Sequence, residues 1–268
     1  MGPAGPDRLL AAFAAEDRPA IPDRVVVVVA HPDDETLGCG ALLHRLRDGH
    51  LVHVTDGAPR NGRDAARHGC PDAAAYAALR AAELDAALDL LGAGPGRTRI
   101  GMPDQGVALD LAGLARRLVP CLAGASLVLT HAVEGGHPDH DGTAFAVRAA
   151  ARLAGCPVAE MPFYRAGPDG GWVRQDFGGR PADDVLRLAA PERDRKAAAL
   201  AAHRSQAATL APFGVADEAF RRAAPFDWGT LPNDGRVLYD PLGWGVTGAE
   251  LGRLAVAASA ALGLDPCL

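Results

Sequence analysis

The sequence predicts an α/β protein on a Rossmann-like, doubly wound and mostly parallel sheet, with helices on both faces and a small antiparallel C-terminal addition. Three observations predict it. Short β-branched runs alternate with longer alanine-rich segments of helical period. Strand, helix and strand in regular succession require parallel pairing through right-handed crossovers. The first of the runs, five consecutive valines at 25–29, shows no in–out alternation, as a strand covered on both faces should. No internal repeat or low-complexity linker interrupts the chain, so a single domain spanning 1–268 is expected. Its core lies at about 24–206, and the region 207–268 is expected to be accessory to the pocket.

Each element follows in order. Residues 24–30, "RVVVVVA", form the first strand. Residues 34–49, "DETLGCGALLHRLRDG", are predicted to be a helix ending at Gly49, before a second strand at 51–57. A long helix covers 71–92, opening after Pro71 and stopping at Gly92. A short strand at 97–104 precedes a helix at 109–124 and a buried strand at 125–131. A further helix is expected at 140–155 and a strand at 157–166. Beyond about residue 165, "GGWVRQDF" (170–177) and "DVLRLA" (184–189) read as antiparallel additions, followed by a helix at 191–206. Residues 209–240, rich in Pro, Gly and aromatics, read as loops and short helices.

Composition excludes several classes of function. Net charge is −6, from 33 acidic and 27 basic residues, and the arginines are scattered, so no nucleic-acid surface is expected. No uncharged apolar run reaches membrane-spanning length, and the N-terminus lacks a signal-peptide pattern. Met1-Gly2 is followed by Pro at position six, where a myristoylation site needs Ser or Thr. Five dispersed cysteines without a CxxC pair indicate reduced, structural thiols, Cys39 included, and a cytoplasmic location.

The chemistry concentrates at strand ends. Ligands bind at the carboxyl ends of parallel strands, and "AHPDDE" (30–35) sits at one. A capping aspartate accounts for one of these residues, not for four ionisable groups within five positions. His31 and Asp34 are donors that zinc accepts, three apart across a tight turn. A third donor should come from another strand end. There the chain offers "THAVEGGHPDHDG" (130–142), with a second His-Pro-Asp and a further histidine. Two imidazoles and a carboxylate would hold Zn²⁺, and equally Fe²⁺, Co²⁺ or Ni²⁺. "GCG" (38–40) is no dinucleotide fingerprint, because His-Pro-Asp-Asp replaces the glycine turn. A Gly-x-Ser-x-Gly elbow is absent.

"VAHPDDETLGCG" together with "GGHPDH" resembles the PIG-L/LmbE family of zinc-dependent N-acetylglucosaminyl deacetylases. The resemblance continues in "VTDGA" (54–58), 79–92, "GMPDQG" and 196–206, and covers roughly 24–206. It implies a metal held by His31, Asp34 and His140, with Asp33 as the base that activates water. It implies that His137 stabilises the tetrahedral intermediate or passes a proton to the leaving amine, with Asp139 behind a histidine as its orienter. Arg80 and His203 would face the substrate, although on spacing alone both suit a solvated helix surface. A cationic His137 would then oppose the developing oxyanion. The resemblance also implies a possible homo-oligomer and a small N-acetylated, amino-sugar-like substrate.

The expected function is removal of an N-acyl group, foremost acetyl, from an amino sugar or a small molecule carrying one. Cleavage of an amide in a thiol S-conjugate and deacylation of a natural-product intermediate are alternatives. A silent metal- or carbohydrate-binding module is a rival of another class, and it would not need Asp33. Acetate release separates the two. Specificity is expected in the loops 58–72, 101–107 and 165–180 and in the C-terminal region.

Overall fold

The computed structural model describes residues 5–268. Residues 1–4, with the Met1-Gly2 start, lie outside the described residues. Helix α1 (Pro6–Ala14) leads into β1 (Ile21–Val29), α2 (Asp34–Leu43) and β2 (Leu46–Pro59). Then come α3 (Arg63–Arg67), α4 (Ala73–Leu91), β3 (Gly96–Asp104), α5 (Leu111–Leu122), β4 (Leu127–His131) and α6 (Pro138–Ala154). The chain continues through β5 (Val158–Met161), β6 (Tyr164–Ala166), β7 (Trp172–Arg174), β8 (Asp184–Arg187), α7 (Ala190–Ala202) and α8 (Ala207–Leu210). It closes with β9 (Asp217–Arg222), α9 (Tyr239–Leu242) and α10 (Gly248–Leu262).

Seven strands form one sheet in the order β3-β2-β1-β4-β5-β9-β8, and β6 and β7 form a separate ribbon. The first five strands of that order run parallel; β9 pairs antiparallel with both β5 and β8. The expected doubly wound class and its antiparallel addition are what the structure shows. Strand alternation explains the valine run. Val25, Val27 and Val29 enter the core under α1, α2, α4 and α7, whereas Val26 and Val28 enter the one under α5, α6 and α10. Both layers therefore grip β1, and its carboxyl end is fixed from two sides.

Three expectations need correction. The helix at 34–49 ends at Leu43, because Arg45 is drawn inward to donate to the carbonyls of Phe13 (2.7 Å), Pro19 (3.1 Å) and Ala12 (2.5 Å). The chain then extends, and β2 pairs with β1 from Leu46 onward. The strand at 157–166 divides between β5 and β6, leaving Pro162 and Phe163 between two sheets. The region 209–240 holds a true sheet strand, β9. Its pattern "DEAFRR" hid it, because one of its two inward positions is Glu218, which pairs with Lys196 at 2.8 Å, both fully buried. The other is Phe220.

Candidate active site

The ends of β1, β3 and β4 and the N-terminus of α6 meet at one point. His31 Nδ1 lies 3.2 Å from His140 Nε2 and 3.3 Å from Asp34 Oδ2, and His140 Nε2 lies 3.4 Å from Asp34 Oδ1. Donors of a tetrahedral ion with bonds of about 2.05 Å stand about 3.3 Å apart. Two imidazole nitrogens and a carboxylate turned on one another at this distance repel unless a cation or a proton lies between them. The three residues fit a divalent cation. The Asp34 carboxylate is held in place by the His31 backbone N–H at 2.7 Å.

His131, at the end of β4, also approaches, with Nε2 3.5 Å from Asp34 Oδ2. That nitrogen, however, accepts the Ala30 N–H at 2.8 Å, so its lone pair is already used. Its ring stacks on His140 at 4.0 Å. Burial, and then His140, hold His131 well below the usual imidazole value. It is a neutral wall of the site rather than a donor.

His31 turns its other nitrogen away from this point. Nε2 lies 3.4 Å from Asp139 Oδ2 and 3.5 Å from Asp104 Oδ1. His31 Nε2 and Asp104 Oδ1 are each buried without another hydrogen-bond partner. Burial opposes a cation at His31, but Asp104, with Asp139 and Asp34, outweighs it and holds this imidazole well above its usual range. A proton on Nε2 leaves Nδ1 as the electron-pair donor, which is the arrangement carboxylates impose on metal-bound histidines. Asp139 is itself anchored by the backbone N–H groups of Gln105 (2.6 Å) and Val107 (3.0 Å). Asp104 is the residue that the reading of single motifs missed, and "GMPDQG" carried the signal.

His137 caps α6, its Nδ1 accepting the Asp139 N–H at 3.1 Å. Burial, with His31 adding, holds it well below the usual imidazole value. With Nδ1 accepting this N–H, a neutral ring would carry its one proton on Nε2.

Asp33 is held by a clamp. Its backbone lies at φ 148°, ψ −27°, outside the allowed regions for a residue with a Cβ. Its N–H donates to Glu35 Oε2 (3.1 Å), which also takes His53 Nε2 (3.0 Å). Arg80 donates to Asp33 Oδ2 (2.9 Å), to the Pro32 carbonyl (2.8 Å) and to the Gly57 carbonyl (2.8 Å). Gly57, at φ 66°, has no room for a side chain, because a Cβ there would stand 2.7 Å from Arg80 Nη1. Burial pushes the Asp33 carboxyl up to about 8, while Arg80 pulls the other way.

Two residues expected to face the substrate lie behind the site. Arg80 is only 4% exposed and spends its donors on the turn beneath Asp33, so it positions the carboxylate and does not reach into the pocket. His203 is 1% exposed, with Nε2 3.3 Å from Thr36 Oγ1 and 4.0 Å from Glu35 Oε1. It packs behind α2. Cys39 is buried where α2 departs from helical geometry, and burial pushes its thiol well above the usual value, which makes it a packing residue.

Tyr164 and Phe163 line the site on the His140 side, and Trp244 on the His137 side. Of the loops expected to set specificity, 101–107 brings Asp104, and 165–180 brings Trp172 against Tyr164. Among the described residues, no helix is long and apolar enough to cross a membrane.

The family described as GlcNAc-PI de-N-acetylase, PIG-L, matches residues 26–151. Among solved structures, the A40926 pseudoaglycone deacetylase Dbv21 is 24% identical, with a TM-score of 0.57 over 76% of this chain and 99% of that one. The zinc-inhibited form of teicoplanin deacetylase Orf2 is 20% identical, with a TM-score of 0.56 over 75% and 98%. An N,N'-diacetylchitobiose deacetylase from Pyrococcus horikoshii is 17% identical, with a TM-score of 0.53 over 81% and 91%. At these identities the likeness is one of fold. No curated protein matches this chain.

Proposed function

We propose that this protein, whose residues 26–151 match the PIG-L family, is a metal-dependent N-deacetylase acting on an amino sugar or a small molecule that carries one. One observation carries the reading: His31, Asp34 and His140 converge at the spacing of a tetrahedral ion, with Asp33 clamped beside them.

His31, Asp34 and His140 would hold the cation, zinc being the first choice for two imidazoles and a carboxylate. When bound, it supplies Lewis acidity and lowers the pKa of water at the site towards about 7. The remaining work falls to the chain. Asp33 takes the proton of the attacking water. Arg80 keeps that carboxylate aimed, and a cation held by His31, Asp34 and His140 would act with Arg80 against burial to favour its ionised form. His137, neutral and with its proton on Nε2, donates to the carbonyl oxygen as charge develops there. A neutral imidazole at a helix N-terminus suits this electrophilic task, because the helix dipole disfavours the cation. Asp104 and Asp139 fix the tautomer of His31. The proton collected by Asp33 is then returned to the departing nitrogen.

Free amine and acetate would be measured from N-acetylglucosamine and its glycosides, with protein stripped by chelator and reloaded with Zn²⁺. Turnover that appears on reloading supports the reading. A loaded protein that binds these compounds and releases no acetate would leave only a binding module.

A further inference from the structure

The β6–β7 ribbon stands outside the main sheet, and the deacetylation steps leave its outer residues unused. Its register sets Tyr164 opposite Arg174 and Ala166 opposite Trp172. Tyr164, Trp172 and Arg174 therefore share one face of the ribbon. The inner end of this face meets the site, where the Tyr164 ring lies 5.4 Å from that of His140. Trp172 stacks on Tyr164 at 5.2 Å and 24°. From the opposite side of the mouth, Trp244 lies 5.0 Å from the His137 ring and meets Trp172 at 6.3 Å and 74°.

Two indoles thus form a corner whose walls each connect to a histidine of the site. A sandwich is ruled out, since 6.3 Å between centroids leaves no room for a third ring between them. A ring would lie flat on one wall with its edge against the other. Packing alone does not account for the arrangement, because Trp172 remains 40% exposed whereas Trp228 is 2% exposed. The corner is also stiffened. The Arg174 guanidinium lies 5.4 Å over Trp172 and 5.7 Å over Phe213, which fixes the outer indole by cation–π contact.

We propose that Trp172 and Trp244 form a subsite for a second ring, a pyranose or an aryl group, joined to the amide-bearing sugar. The proposal rests on the deacetylase reading and deepens it: the two indoles, not the metal site, set which ring beyond the amide-bearing sugar is preferred. The apolar face of such a ring gains most against an exposed indole, and the histidines at the inner ends of both walls place the first ring over the site.

The test compares N-acetylglucosamine, N,N'-diacetylchitobiose and 4-nitrophenyl N-acetyl-β-glucosaminide, by kcat/KM and separately by calorimetric binding. Wild type should prefer at least one two-ring compound by about 3- to 10-fold, the effect of one good ring contact. Preference for chitobiose identifies a sugar ring, and preference for the nitrophenyl compound an aryl group. In Trp172→Ala and Trp244→Ala that ratio should fall towards one. Equal affinity for one-ring and two-ring compounds in wild type, or a ratio unchanged in both variants, overturns the proposal. The calorimetric arm keeps the two readings apart. Two-ring preference in binding without acetate release would sink the deacetylase reading and leave the subsite standing.

Discussion

Replacing Arg80 by Leu separates positioning of the base from contact with substrate. Arg80 is 4% exposed and makes three hydrogen bonds at 2.8–2.9 Å, one of them to the Asp33 carboxylate. Removing one member of a buried ion pair costs about 3–5 kcal/mol, because the other charge is left without compensation. At about 2–4 °C per kcal/mol for a chain of this size, the melting temperature should fall by about 6–20 °C. The consequence for catalysis is distinct. With Arg80 gone, burial acts on Asp33 with less opposition, and the carboxyl holds its proton more tightly. A base already at about 8 and pushed further up is ionised in a smaller fraction at neutral pH, so kcat should fall by up to about 10²–10⁴-fold, with KM little changed. Arg80→Lys keeps the charge but not the fork that ties Pro32, Asp33 and Gly57 together, so its loss should be intermediate. Asp33→Asn combined with Arg80→Leu should be more stable than the sum of the single changes predicts, by about 0.5–3 kcal/mol, because the stranded carboxylate is gone. Amine release, thermal melts and metal analysis on wild type, the three single variants and the double variant make the comparison. A raised KM with normal kcat and normal melting temperature would refute the clamp and return Arg80 to the substrate.

Asp33→Asn alone should lose about 10²–10⁴-fold in turnover and keep its metal; near-normal turnover removes the base from the scheme. Asp34→Asn and His140→Ala should instead lose the ion, read as metal per protein after dialysis, because each removes one of three converging donors. Asp104→Asn should weaken metal retention by about 10- to 100-fold with little change in melting temperature of the metal-free protein, as expected for a group that orients His31. Glu134 gives a pH signature. Burial, joined by Asp141 and Glu160, raises its carboxyl well above the ordinary 4.5, while its Oε1 accepts the Phe163 N–H at 2.7 Å. An acid with a raised folded-state pKa contributes stability below its unfolded value, and that contribution is lost as pH rises through the folded value. Glu134→Gln keeps an acceptor for Phe163 and has no proton to lose. Its melting temperature relative to wild type should rise from about pH 5 to about pH 9, and a constant difference counts against a protonated Glu134.

Much of the fold was legible in the sequence because period and punctuation agree there. The valine run, Asp72 and Gly92 at the two ends of α4, and the glycine after α6 each act locally. The errors arise where distant groups override local pattern. Helix α2 stops early because Arg45 is recruited by carbonyls more than 25 residues away, and Glu218 takes the Ala41 and Leu42 N–H groups just beyond Cys39. Strand β9 carried charge at a position that folding buries against Lys196. In the site, the two His-Pro-Asp clusters marked where donors gather. Spacing along the chain could not tell which arginine points inward to clamp a carboxylate, or that burial and the neighbouring His31 pull the His137 pKa down. Trp172 and Trp244 belong to no motif. They meet only because the ribbon and the segment after α9 fold over the same mouth.

The order β4-β5-β9-β8 has a consequence for how the chain is made. Strand β8 leaves the ribosome before β9, yet β9 lies between β8 and the rest of the sheet. Until residue 222 has emerged, β8 has no neighbour and β5 presents an open edge of unpaired N–H and C=O groups. Such an edge invites pairing with another nascent chain. A fragment ending near residue 206 would keep every donor of the metal site and still remain in this half-built state. The last sixty residues are not an appendage to a finished domain; they complete its sheet.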